Sequence, residues 1–326
     1  MSGRIDVHHH VVPPDYARLL RDKGIQPGGI PLPTWAMPAA SKVMAANGVA
    51  TAILSVSTPG VWFGEVAEAR LWARRVNEHA AEIVERQPTR FGFFATLTLP
   101  DVDGAIAEAT YALDVLGADG IVLLANNAGT YLGDVAFERL LAFLDERAAV
   151  VFVHPGELPG EPVPGIPSFA ADFLLDTTRT ATSLILSGAL ERYARIRWIL
   201  AHAGGFVPYV AHRLLLAQLR ETPKWRLLPM ALRREKVVEA RMKVYERFYY
   251  DVALSSTPTT FPTLLQVAGE DRILYGSDYP FAPAMAVKYM AQEYASVDLP
   301  SRVRAKVDRR NAETLFPRLA AGSGVS

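Results

Sequence analysis

The chain of 326 residues is half hydrophobic and 21% charged, the balance of a folded protein with a large core rather than of a disordered or fibrous one. Lys plus Arg equals Asp plus Glu at 34 each, so no global basic field exists to gather nucleic acid or an anionic membrane, and a small molecule is the expected partner. There are no cysteines, which excludes disulfides, thiol nucleophiles and Cys-based zinc sites; any metal must be held by His and carboxylate. The N-terminus, MSGRIDVHHH, lacks the pattern of a secretory signal, and no apolar run is long enough to span a bilayer, so a cytoplasmic location is expected.

In chain order, short β-branched or aromatic runs alternate with amphipathic helical patterns. The predicted strands are Arg4–His8, Ala50–Ser57, Phe91–Leu97, Gly120–Leu124, Val150–His154, Arg197–His202, Phe248–Ala253 and Arg272–Ser277. Helices are predicted at Val66–Arg86, Val102–Leu116, Val135–Arg147 and Thr180–Tyr193. Eight strands that read as buried on both faces, alternating with helices, predict a (β/α)8 barrel formed as a single domain over residues 1–326. Two long segments depart from the pattern, one after strand 1 (Pro13 to Lys42, with Trp35, a lid or pocket wall) and one after strand 5 (Pro155 to Pro167). Arg220 to Arg247 carries nine basic residues against four acidic ones and reads as a solvated helical face rather than a partner-binding patch. No internal repeat, low-complexity tract or domain linker is evident.

His8, His9 and His10 end the first strand, and alternation puts His8 and His10 on one face with His9 on the other, packed and structural. His154 and His202 close the fifth and sixth predicted strands, and Asp278 follows the eighth in LYGSDYP. All lie at C-terminal strand ends, which in a barrel converge on one mouth where the active site forms. Neutral imidazoles with a carboxylate suit zinc, and also manganese or iron, with a position open for water or substrate. The fourth strand ends LLANNAG, without the lysine a bridged pair of metals would use, so one divalent ion is expected. No glycine loop stands in the βαβ context of a nucleotide site, and NAD, ATP and PLP are not expected. Trp35, Phe63, Phe173 and Phe281 are candidates for walling an aromatic ligand, and Asp251 for orienting a metal ligand. Asp176, in DTTRT, reads as a helix N-cap with Arg179 pairing locally.

The motifs DVHHH, RFGFFATLTLPD, GADGIVLL, VFVHPG, DTTRTATSLILSG, ILAHAGGFVPYVAHR and ILYGSDYPF, spread over nearly the whole chain, resemble the amidohydrolase superfamily. Within it they are similar to the branch typified by aminocarboxymuconate-semialdehyde decarboxylase and by the salicylate, resorcylate and 6-methylsalicylate decarboxylases. The resemblance implies that His8, His10, His154 and Asp278 ligate the metal, zinc first and manganese second, and that His202 is the catalytic histidine beside it. It also implies a homodimer and a role for Arg213 toward a substrate carboxylate, here or in the neighbouring subunit. Members acting on aminocarboxymuconate semialdehyde carry a second arginine before strand 2, whereas Ile30 to Gly48 has none, which argues against a dicarboxylate.

The implied reaction is non-oxidative decarboxylation of a small aromatic or enol-type acid with a hydroxyl beside the carboxylate. The metal would chelate both oxygens, and Asp278 or His202 would protonate the carbon that bears the carboxylate. Hydrolysis of a lactone or amide by metal-activated water is the alternative for the same residues, with a hydratase third and a non-enzymatic binding barrel last.

Overall fold

The computed structural model describes residues 3–220 and 234–320. The strands are β1 (Arg4–His10), β2 (Val49–Ser55), β3 (Phe91–Thr96), β4 (Gly120–Leu124), a two-residue hairpin β5 (Asn126–Asn127) and β6 (Thr130–Tyr131), then β7 (Val150–His154), β8 (Arg197–Leu200), β9 (Phe248–Asp251) and β10 (Ile273–Leu274). Outside the hairpin they pair in parallel in the order β1-β2-β3-β4-β7-β8-β9-β10. Closure comes from irregular bonds between the two ends of that order: Val7 N to Tyr275 O at 3.0 Å, Asp278 N to His8 O at 2.8 Å and His10 N to Tyr279 O at 2.7 Å. This is the expected (β/α)8 barrel. No helix among the described residues is long and apolar enough to cross a membrane.

Period-two alternation builds two apolar layers. Ile53, Phe94, Val122, Val150, Phe152, Ile199, Tyr249 and Leu274 fill the barrel, while Ala52, Leu54, Phe93, Val151, Val153, Trp198 and Tyr250 pack against the helices. The bottom is closed by the C-terminal segment, where Phe316 meets Phe94 (ring centroids 5.9 Å apart) and Arg318 pairs with Asp119 just ahead of β4. Polar residues therefore concentrate at the opposite end, at the last inward positions of the strands.

In β1 the alternation is broken. Asp6 faces Ala52 and His9 faces Leu54, so three steps along β1 match two along β2, a β-bulge with one extra residue. Ile5 and Val7 stay in the barrel interior and His8, one residue on, also turns inward, while Asp6 and His9 turn out and bond to each other at 3.2 Å.

Among the helices, α1 (Pro14–Asp22) and α2 (Met37–Ala46) occupy the long segment after β1. Then α3 (Val66–Arg86) and α4 (Val102–Asp114) follow the sequence reading, and α5 (Glu138–Glu146) is entered through a 3-10 turn, Val135–Phe137. The helix expected from Thr180 instead begins at Asp172 and ends at Leu186 (α6), with α7 (Ala189–Arg192) separate after Gly188 at φ 74°. The threonine-rich stretch is helical, with its hydroxyls satisfied within the helix: Thr177 to Phe173 O, Thr178 to Leu174 O and Thr182 to Thr178 O. Asp176 is thus inside a helix rather than at its cap, and Arg179 donates to Tyr131 Oη at 3.3 Å. Next comes α8 (Val207–Arg220). The basic segment lies partly outside the described residues, which resume in the helix Arg234–Met242.

Phe152 is fully buried between the barrel core and His8, with ring centroids 4.9 Å apart. Phe152→Ala should destabilise the fold by about 3–5 kcal/mol, measured by urea unfolding, by removing that floor.

Candidate metal centre

Four side chains converge at the C-terminal mouth of the barrel. His8 and His10 come from the bulged end of β1, His154 from the last residue of β7, two positions beyond Phe152 on the same face, and Asp278 from the turn after β10. All four are buried and their ligand atoms lie within 4.8 Å of one another. His8 Nε2 is 3.0 Å from His10 Nε2 and 3.3 Å from Asp278 Oδ1, and His10 Nε2 is 3.1 Å from the same oxygen. Nitrogen and oxygen ligands about 2.0–2.2 Å from a tetrahedral ion stand about 3.3–3.6 Å apart, so the donor set is sized for one cation.

Each imidazole is oriented through its other nitrogen. His8 Nδ1 is 3.0 Å from Asp251 Oδ2, His10 Nδ1 is 2.9 Å from Ser55 Oγ, and His154 Nδ1 donates to Pro155 O at 2.8 Å. A carbonyl can only accept, so Nδ1 of His154 carries the hydrogen and Nε2 keeps its lone pair for a metal. His202 follows the same rule: Nδ1 donates to Ala253 O at 3.1 Å, leaving Nε2 free beside the cluster, with its ring centroid 4.9 Å from that of His8.

Close approach matters at two glycines. A Cβ on Gly276 would lie 2.9 Å from His8 Cβ and 3.1 Å from Asp251 Oδ1, so only glycine lets β1 and β9 meet there. Gly205, at φ 63°, would set a Cβ 2.1 Å from Leu174 O, which ties the His202 turn to α6.

Electrostatics match a cation site. Burial disfavours the charged form of all three ligand imidazoles, and His10 and His154 lie below their ordinary range, His154 well below. His8 is the exception: burial lowers it, but Asp251 and Asp278 outweigh this and raise it to about 10. Burial alone would raise Asp278; the His8 and His10 imidazoles instead hold it well below the usual carboxylate range. Two buried carboxylates against one ring thus bind a proton wherever no metal takes its place.

A cavity of about 550 Å3 opens above the cluster, reached by His154, His202 and Asp278 from below and walled by Phe173, Phe281, Leu174, Leu254, Pro27 and Ile30. Of the aromatic residues considered from the sequence, Phe173 and Phe281 line it. Trp35 does not; it packs between Phe91 (6.5 Å) and the Ala40–Tyr279 cluster, because the segment after β1 folds back on the outer layer. Phe63 lies outside it too, under the Lys23 ammonium. Arg213 is exposed on α8 and does not reach the cavity, so within one chain it contacts no ligand there. Three residues escaped the sequence reading. Asp6 accepts from His8 N, Ser277 N and Ser277 Oγ (3.1, 3.0 and 2.6 Å), Ser55 holds His10 at Nδ1, and Ser57 Oγ lies 3.4 Å from His154 Nε2, on the side of the cluster. A bulge hidden in an alternating strand masks the first, and serines on an inner strand face give no distinctive signal.

The amidohydrolase family model matches residues 5–318. The chain belongs to the amidohydrolase family. It is 36% identical over 323 residues to the 6-methylsalicylic acid decarboxylase of Penicillium expansum, covering 97% of each chain. It is 28% identical over 301 residues to the gamma-resorcylate decarboxylase of Polaromonas sp., covering 84% of this chain and 85% of the relative. Among solved structures, a dihydroxybenzoic acid decarboxylase from Polaromonas sp. with bound manganese and 2-nitroresorcinol superposes with a TM-score of 0.79 at 22% identity over the full length of both chains, a likeness of fold.

In this amidohydrolase, Asp251→Asn should weaken metal affinity by about 10–100-fold, read by chelator competition, because it removes the carboxylate behind His8. The raised His8 pKa also carries a sign. In the metal-free protein its stabilisation is complete below the ordinary value of 6.5 and is lost as pH rises through about 10. At pH 8 the ring is therefore protonated, and calorimetry in buffers of different ionisation enthalpy should show about one proton released per ion bound.

Proposed function

We propose that this chain is a metal-dependent decarboxylase of small aromatic acids with a hydroxyl beside the carboxylate. The observation that carries the reading is the cavity: three imidazoles and a carboxylate at its base, apolar walls, and no lysine or arginine among the described residues that line it. A carboxylate entering such a space meets no side-chain cation, so its charge has to be balanced at the metal centre. The Penicillium relative is named for 6-methylsalicylic acid, an ortho-hydroxybenzoate whose methyl group suits walls such as Phe173 and Phe281.

When bound, the cation would neutralise the carboxylate and chelate it with the neighbouring hydroxyl oxygen. The donor set supports zinc first, with manganese, the ion named in the Polaromonas structure, as the competitor. The aromatic walls Phe173 and Phe281 would hold the ring above the base of the cavity. Direct loss of carbon dioxide would leave an electron pair in the ring plane, outside conjugation. Protonating that carbon first avoids this and needs a proton carrier above the ring. His202 Nε2, left with its lone pair because Nδ1 donates to Ala253 O, would take the proton of the substrate's hydroxyl and deliver it to that carbon, with the cavity side of Asp278 as the alternative carrier. Loss of carbon dioxide would then return the bond's electron pair to the ring as a phenolate, which takes a proton from solvent.

The test is carbon dioxide release from salicylate, 6-methylsalicylate and 2,6-dihydroxybenzoate by protein of known metal content. Wild type should turn over at least one of them. His202→Ala should keep its metal and lose activity by about 10²–10⁴-fold, while His154→Ala should lose both. A fully metal-loaded wild type that is inert toward every acid but cleaves a lactone or amide would replace the lyase reading with a hydrolase one.

A further inference from the structure

The most buried carboxylate that the metal centre and its supports do not use is Asp176, in the middle of α6. It has no solvent exposure, and both its oxygens accept: Oδ1 from Asn126 Nδ2 at 2.9 Å and Oδ2 from Gly156 N at 2.9 Å, with the Tyr131 hydroxyl and the Arg179 guanidinium also close enough to act on it. The second bond lies on a particular peptide. The same Pro155–Gly156 unit whose N–H points at Asp176 presents its carbonyl to His154 Nδ1 at 2.8 Å. Carboxylate, peptide and imidazole therefore form a continuous chain that ends on a metal ligand. His8 meets its carboxylate, Asp251, directly; His154 has no carboxylate on Nδ1, only this peptide oxygen.

We propose that Asp176 is a positioning residue of the metal centre, acting on His154 through the Pro155–Gly156 peptide, an inference that rests on the metal-site reading above. The physics is that of cooperative hydrogen bonding. A carboxylate on a peptide N–H polarises the amide, makes its carbonyl oxygen a better acceptor, and so strengthens the hold on the imidazole N–H and the basicity of the ring's other nitrogen. It also fixes where the peptide sits. The chain after β7 leaves the barrel through a Pro- and Gly-rich loop with little regular structure before the 3-10 turn Ser168–Ala170, so backbone pairing alone does not set the carbonyl's direction.

The surroundings hold Asp176 itself in place. Asn126 cannot reverse its amide, because Nδ2 also donates to Glu157 O at 2.9 Å and Oδ1 accepts from Gly129 N at 3.2 Å. One turn along α6, Thr180 Oγ1 donates to Ala125 O at 2.5 Å, which pins the helix against the end of β4. Thr178, on the adjacent face, accepts from Phe206 N at 2.8 Å in the turn after His202. The DTTRT segment thus aligns both histidine-bearing ends, and Asp176 is its link to the metal ligand.

Asp176→Asn tests this, since it keeps the shape and removes the charge, and the locked Asn126 amide leaves the new amide without acceptors for both its partners. Three proteins, wild type, Asp176→Asn and Asn126→Ser, would be stripped of metal and titrated with Zn2+ and Mn2+ against a chelator, with thermal melts of each metal-free form. The expected result is an approximately tenfold weaker affinity in Asp176→Asn, a change of less than about threefold in Asn126→Ser, which leaves the Gly156 bond intact, and cooperative metal-free melting lowered by a similar few degrees in both, since each leaves a buried polar group unpaired. Equal affinity of Asp176→Asn and wild type overturns the proposal, as does equal weakening in both variants or loss of cooperative melting in metal-free Asp176→Asn. A wild type that takes up neither ion refutes the metal-site reading instead.

Discussion

His8 is held at both ring nitrogens by carboxylates, Asp251 at Nδ1 and Asp278 at Nε2, with no solvent at the ring. Two buried negative charges flanking one imidazole cannot stand alone in a medium of low dielectric; isolated, each would cost several kcal/mol. A dication among three neutral imidazoles balances both carboxylates, and a proton on His8 balances one. The strands at the mouth are arranged to make this grouping possible. The bulge in β1 turns His8 inward next to Val7, Gly276 leaves room for it, and Asp6 ties the bulge to Ser277 so that Asp278 falls against it.

The barrel supplies the rest through plain alternation. Three of the polar groups at the mouth are the last inward positions of apolar ladders: Ile53 leads to Ser55, Phe152 to His154, and Tyr249 to Asp251. The loops add strain where strands alone cannot aim a side chain. His202, Leu254 and Asp278 all hold left-handed backbone angles (φ 53°, 53° and 63°) and all three line the cavity. Each such residue costs on the order of 1–3 kcal/mol, and it persists because closure between β1 and β10 and the packing of α6 fix the surrounding chain.

Strand count, barrel closure and convergence of His8, His10, His154, His202 and Asp278 were legible because they depend on alternation and on strand ends, both visible one residue at a time. What was hidden depends on pairs of distant segments. The bulge is a mismatch between β1 and β2, and no feature of RIDVHHH announces it. Trp35 looked like a pocket wall because its loop is rich in Pro and Gly, yet its ring is claimed by the outer packing around Phe91 and Tyr279. Asp176 reads as an N-cap because the threonines that follow it weaken helix propensity, while in the fold the hydroxyls of Thr177 and Thr178 are satisfied within a helix that starts at Asp172. In that case local propensity lost to burial, since the face carrying Asp176 and Thr180 is the one that meets β4 and β7.

The same geometry bears on which acids fit. Ile30 to Gly48 contains no arginine, and the cavity that this segment helps wall at Ile30 shows no cationic side chain among its described residues. A single carboxylate can be neutralised at the base of the cavity, whereas a second would lie against Phe173, Phe281 or Leu254 without a partner, at the cost of an unpaired buried charge. A methyl group or bare ring edge in that position loses nothing and gains about 25 cal/mol for each Å2 removed from water. On the proposed reading, discrimination between mono- and dicarboxylic acids would follow from what the walls lack as much as from the ligands at the base.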